Sequence, residues 1–188
     1  MTGTLIHTRA RAQKVFGFAG FSGSGKTTLL VNLIPEFTNR GLSVSTIKHA
    51  HHGFDIDKPG KDSFEHRAAG AHEVLVSSRT RWALMHEQRA APEASLDELI
   101  GRMSPVDLVL IEGFRNYGHD KMEIVRGRDA HFVLATEDPH VVAIASDKAI
   151  PETQLPVFDL NDASAIANFV VHHCGLAVEN DAAALREA

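Results

Sequence analysis

The chain has 188 residues, 19 Lys and Arg against 24 Asp and Glu, a formal net charge of −5, one Cys and 12 His. That length suits one domain of roughly 100–200 residues, and the 44% apolar and 23% charged fractions exclude wholesale disorder. The acidic balance argues against a general nucleic-acid binder, which needs a basic phosphate-contacting surface, and Cys174 alone excludes an intramolecular disulfide and a multi-Cys zinc site.

Residues 1–13 carry Arg9 and Arg11 but lack the apolar stretch of a secretory signal, and no window approaches the ~18 apolar residues of a membrane span. The expectation is a cytoplasmic protein with an arm over 1–13, one domain over 14–174 and a tail over 175–188. Neither a membrane nor a nucleic acid is expected as a partner.

Val15 to Ala19 reads as a buried strand that runs into a glycine-rich turn. Lys26 to Arg40 follows with Leu29, Leu30, Leu33, Ile34 and Phe37 at helical spacing; Gly41 suits its end, and Pro35 predicts a kink. Val44 to Ile47 is a second strand. A polar stretch from Lys48 to Asp62 leads into a helix through Ala71. Glu73 to Ser77 and Trp82 to His86 read as strands joined by a turn at Ser78 to Arg81. Leu96 to Met103 is a short helix with Ser95 as N-cap and Glu98 at the capping-box position. Val106 to Ile111 is the most apolar strand; Met122 to Val125, His131 to Ala135 and Val141 to Ala145 are later ones, and Ala163 to His173 is the last helix. The fold expected is α/β and P-loop NTPase-like, a mostly parallel central sheet flanked by helices, with extra antiparallel strands.

Gly20-Phe21-Ser22-Gly23-Ser24-Gly25-Lys26-Thr27 fits G-x-x-x-x-G-K-[ST] between a strand and a helix. A chance match in a chain of this composition falls below roughly 1%, before the flanking elements are required. The glycines let successive backbone N–H groups point at phosphate oxygens, and the helix N-terminus adds its dipole. Lys26 would reach the β- and γ-phosphates, Thr27 would give its hydroxyl to Mg²⁺, and Thr28 extends the loop into the helix. The pattern predicts a nucleoside triphosphate bound with Mg²⁺.

Such a metal site also needs a carboxylate at the end of a buried strand, and Glu112 closes the run Leu108 to Ile111. A Glu stands where Asp is usual, and Asp107 lies at the wrong end of the strand. Asp55 and Asp57, two apart, project to one side of an extended segment and could complete the magnesium shell or position a water. An acidic surface loop explains them equally well. The guanine signature Asn-Lys-x-Asp is absent. Asp147, after a late strand, could accept from guanine N1–H and N2–H₂, and Asp159 to Asp162 offers a second candidate.

The stretch Lys48 to Ser63 concentrates three His, three Lys and three Asp around a Pro-Gly turn. His49, His51 and His52 could bind a divalent ion, although no cysteine lies nearby and the interleaved lysines would repel a cation. A metal-delivering GTPase and a small-molecule kinase are thus alternatives to a nucleotide-binding adaptor. The loop Gly20 to Thr27, the run His51 to Ser63, the residues Arg67 to Ala71, the pair Arg81-Trp82 and the strand end Ile111 to Phe114 together resemble the molybdopterin-guanine dinucleotide biosynthesis adaptor protein B family. The match runs from Phe16 to about Val171. The resemblance implies GTP binding with weak hydrolysis, in which Lys26, Asp57 and Glu112 would act. It implies a homodimer and partnership with the guanylyltransferase that joins GMP to molybdopterin. Molybdopterin, or its molybdenum form, becomes a candidate ligand, with His51, Lys58, Lys61 and Arg67 offering positive charge to a pterin phosphate or a partner-bound nucleotide.

Overall fold

A computed structural model of the chain describes residues 13–50, 53–127, 134–151 and 153–178. In chain order the elements are β1 (Lys14–Ala19), α1 (Lys26–Thr38), β2 (Val44–Lys48), α2 (Asp62–Ala68), β3 (Glu73–Ser77), β4 (Trp82–His86), α3 (Leu96–Gly101), β5 (Leu108–Glu112), β6 (Lys121–Val125), β7 (Val141–Ser146), β8 (Val157–Asp159) and α4 (Ala163–His173). The arm over 1–12 and the tail from 179 lie outside the described residues. No helix among the described residues is long and apolar enough to cross a membrane.

The described residues form two compact units, those up to 49 with those from 104 onward, and those between 50 and 103, where the sequence reading places one domain over 14–174. No shift in composition marks the junctions. The division follows from strand pairing: β3 and β4 pair with each other, outside the main sheet.

In the larger unit six parallel strands run in the order β2-β5-β1-β6-β7-β8. Alternate residues along a strand face one side. Phe16 and Phe18, Leu108 and Leu110, Met122 and Ile124, and Ala143 and Ala145 pack with Leu29, Leu30, Leu33 and Phe37 of α1 and Ile166, Ala167 and Val170 of α4. Each large side chain buried there contributes about 1.5–3 kcal/mol. β5 and β6 are buried at every position, the pattern of strands covered on both faces. The helix α1 runs through Pro35 and ends at Thr38, where Gly41 N donates to Thr38 O at 3.0 Å and Leu42 N to Phe37 O at 3.2 Å.

Because β5 and β6 flank β1 on opposite sides, residues 113–120 must cross it. The crossing is close: a Cβ on Gly17 would collide with the His119 imidazole. Lys121, fully buried at the start of β6, ties this segment down. Its Nζ donates to Arg115 O at 3.0 Å, Tyr117 O at 2.8 Å and Asp138 Oδ2 at 2.6 Å.

Of the strand expected over His131–Ala135, only Leu134 and Ala135 fall among the described residues. Residues 128–133 lie outside the described set, and Leu134–Thr136 forms a 3-10 turn. The buried Glu123 carboxylate accepts from Leu134 N at 2.6 Å and Ala135 N at 2.9 Å, so these amides serve a buried acid instead of a strand ladder. Burial raises the Glu123 carboxyl above its usual range despite the two amides. The short β8 escaped the periodicity because its three residues include no buried position.

The smaller unit holds α2, the antiparallel hairpin β3-β4 and α3. Ser95 and Glu98 cap α3 reciprocally, with Glu98 N donating to Ser95 Oγ and Ser95 N to Glu98 Oε2. The hairpin leaves Leu75, Val76, Trp82 and Leu84 exposed.

Candidate functional site

The phosphate-loop motif occupies the turn from β1 into α1. Gly20 has φ 146°, and a Cβ there would lie 2.5 Å from Ile124 O on β6, so only glycine fits. Gly25 is the N-cap of α1 in the left-handed region, with no side-chain cap and no acidic residue in the first turn. The other two capped helices differ: Ser95 caps α3 and Asp162 caps α4, each accepting a backbone N–H. The first-turn amides of α1 are thus left for an external anion. Lys26 Nζ folds back onto Gly20 O at 2.8 Å and Phe21 O at 2.7 Å. Burial lowers its pKa; Glu112 opposes this shift and Lys48 adds to it. Ser24 Oγ is buried without a partner among the described residues, an orphaned polar atom inside the loop. Residues 21–24 and 123–126 line a cleft of about 90 Å³.

Beside the loop stands the pair the sequence assigned to magnesium. Thr27 Oγ1 donates to Glu112 Oε1 at 2.7 Å across 85 residues of chain. Glu112 sits next to Phe18 of β1 and Lys48 of β2 by strand register, which aims it at the loop. Hard oxygen donors from a hydroxyl and a carboxylate suit Mg²⁺. A cation already uses this place: Lys48 Nζ lies 3.1 Å from Glu112 Oε1 and 3.2 Å from Thr27 Oγ1. The residues present therefore fit the metal.

Asp55, Asp57 and Arg67 belong to the smaller unit. Arg67 Nη2 donates to Asp55 Oδ1 at 2.9 Å, Nη1 donates to Glu87 Oε1 at 2.9 Å, and Nε lies 3.5 Å from Asp57 Oδ2. The hydrogen bonds Arg67 donates to Glu87 and then to Asp55 raise its pKa, while the Asp57 amide and then Arg67 lower that of Asp55. Asp57 Oδ1 accepts from Lys58 N and Ser63 Oγ, each at 3.0 Å. The Arg67 charge expected to face an anionic ligand is met instead by three carboxylates, and Asp55 and Asp57 order their own loop. Lys58 and Lys61 are exposed.

Of the proposed metal-binding histidines, His51 and His52 lie outside the described residues. His49 closes onto the main sheet: its N donates to Glu112 O at 2.8 Å and its ring sits 4.6 Å from that of Phe114. Among the described residues no group of three His, Cys, Asp or Glu is placed to hold a metal.

The family model described as "MobB: Molybdopterin guanine dinucleotide synthesis protein B" matches residues 15–147. This chain belongs to that family. It is 44% identical over 163 residues to the molybdopterin-guanine dinucleotide biosynthesis adapter protein of Escherichia coli, spanning 84% of this chain and 91% of the relative. The Haemophilus influenzae protein of the same description is 38% identical over 164 residues, spanning 85% and 90%. Among solved structures, "molybdopterin-guanine biosynthesis protein B (mobB)" superposes with a TM-score of 0.69 at 25% identity, covering 85% of this chain and 99% of that one. Bacillus subtilis MobB gives 0.69 at 27%, covering 86% and 98%.

Within this family fold, Asp147 follows β7 directly, two strands from β1 on the edge of the sheet where the phosphate loop emerges. One of its oxygens accepts from Gly127 N at 3.1 Å, which fixes the carboxylate beyond the strand. Asp159 and Asp162 are used locally, by Asn161 N and as the cap of α4. Arg115 lies over the Phe21 ring at 5.9 Å, so it reaches the loop. Sequence reasoning missed Arg126, whose guanidinium carbon would be 3.3 Å from a Gly25 Cβ; its position just after β6 was the available signal.

Proposed function

We propose that this protein is a GTP-binding adaptor with weak GTPase activity that assists attachment of GMP to molybdopterin. The uncapped N-terminus of α1 behind a complete phosphate loop carries this reading. The first-turn amides and Lys26 would hold the phosphates, with Lys26 leaving the carbonyls of Gly20 and Phe21 to do so. Thr27 and Glu112 would hold Mg²⁺, which supplies neutralisation of the β- and γ-phosphate oxygens. Asp147 would read the guanine edge. Weak turnover is what the family resemblance implies; Asp57, the residue expected to position a water, has one carboxylate oxygen bonded by Lys58 N and Ser63 Oγ.

The names of the relatives support the pathway, and a guanylyltransferase joining GMP to molybdopterin is the proposed partner. A homodimer is also proposed. An isolated two-stranded hairpin is marginal in water, and the exposed Leu75, Val76, Trp82 and Leu84 are apolar surface that a second copy would cover.

The test is formation of molybdopterin-guanine dinucleotide by the guanylyltransferase with and without this chain. The full chain should stimulate the reaction, and Lys26→Ala should not. GTP should also displace a bound nucleotide better than ATP. Equal competition by the two would remove the guanine assignment, and absence of stimulation would remove the adaptor role.

A further inference from the structure

Lys48 received no role of its own from the sequence, yet its ammonium lies against both Thr27 Oγ1 and Glu112 Oε1. It ends β2, and register sets it beside Glu112 at the end of β5. Thr27 Oγ1 and Glu112 Oε1 are 2.7 Å apart, and Lys48 Nζ lies 3.2 Å and 3.1 Å from them. These are the two oxygens that would take a divalent ion. The Glu112 side chain is 11% exposed, whereas that of Lys48 is 59% exposed. The carboxylate is therefore fixed in the sheet while the ammonium rides on a solvated four-carbon stem. A nearly buried carboxylate left with one hydroxyl donor would be costly, so a positive charge is needed there whenever the metal is absent.

We propose that Lys48 is a tethered cation that holds the Thr27–Glu112 pair in the empty site, yields those oxygens to the divalent ion, and then pairs with the terminal phosphate of the nucleotide. The inference rests on the phosphate-loop reading and deepens it: Lys48 supplies a positive charge in cis. Lysine suits the task better than arginine, being a compact point charge on a flexible stem that can serve two positions in turn. Lys26 is influenced by Glu112 and by Lys48 in opposite senses, so two ammonium groups stand near one carboxylate where the polyphosphate would lie.

The two roles have opposite signs, and this is what the experiment reads. Mn²⁺ binding is followed by electron paramagnetic resonance at saturating nucleoside diphosphate, and triphosphate binding by equilibrium dialysis in Mg²⁺. Wild type, Lys48→Ala, Lys48→Gln and Lys26→Ala are compared, with thermal unfolding to confirm the fold. Without a terminal phosphate to receive it, Lys48 competes with the ion. Both Lys48 variants should then half-saturate with Mn²⁺ at about tenfold lower concentration, while binding triphosphate about tenfold more weakly. Variants that change neither quantity, or weaken both alike, overturn the proposal and leave the phosphate loop standing. A wild-type chain that binds neither nucleotide overturns the phosphate-loop reading, and the proposal with it.

Discussion

The buried Lys121–Asp138 pair gives the sharpest test of how the segment crossing β1 is held. Asp138→Asn keeps the shape of the side chain and an oxygen for His140 N, but removes the charge facing an ammonium 2.6 Å away. Lys121 is fully buried and would retain only the carbonyls of Arg115 and Tyr117. Breaking a buried pair costs about 3–5 kcal/mol. The Asp138 side chain is 20% exposed, so water softens the loss to about 2–3 kcal/mol. For a chain of this size that lowers Tm by about 4–12 °C. The pH dependence supplies a second check. Burial pushes the Asp138 carboxyl up, but Lys121 and the His140 amide outweigh it and hold the carboxyl below its ordinary range. Its contribution is complete above the unfolded value near 3.9 and is lost as pH falls through the lower folded value. The gap between wild type and variant should therefore close in acid. Urea denaturation of wild type, Asp138→Asn, Lys121→Met and the double variant measures both effects. The double variant should lose less than the sum of the singles by ~1 kcal/mol or more. A cost for Asp138→Asn below about 0.5 kcal/mol, typical of an ordinary surface position, would refute the reasoning.

Gly17→Ala drives a methyl group into the His119 imidazole and should cost about 1–3 kcal/mol by overpacking, measured by denaturant midpoint. His119 has its pKa lowered to about 4, chiefly by burial and next by Lys121. Its ring should stay neutral in NMR titrations down to that pH. The unfolded chain protonates first, so His119's contribution to stability is full above pH 6.5 and declines toward pH 4; His119→Phe should flatten that slope. Burial pushes the Cys174 thiol up to about 11. Alkylation at pH 8 should then run about a hundredfold slower in the native protein than in urea, and equal rates would show the thiol to be open.

Contiguous chemistry was legible in the sequence. The phosphate loop, the Ser95–Glu98 capping box and the strands at 73–77 and 82–86 each rest on neighbours a few residues apart, where local geometry and side-chain period suffice. So was Glu112, because a run of apolar residues that stops at an acid marks a buried strand reaching the sheet edge. The 3-10 turn at Leu134–Thr136 was not legible for the opposite reason: a buried carboxylate from β6 claims the backbone amides at Leu134 and Ala135, and no local period records it.

Legible from the sequence alone, therefore, were the glycine-rich turn between β1 and α1, the α/β alternation and the family. Tertiary structure decided the use of the charges. Arg67 looked like a ligand-facing cation until Asp55, Asp57 and Glu87 were seen around it. Lys48 looked like one lysine among several until parallel register set it against Glu112. A charge acts through its distance to other charges and its access to water, and both are fixed by strand order and burial rather than by position along the chain.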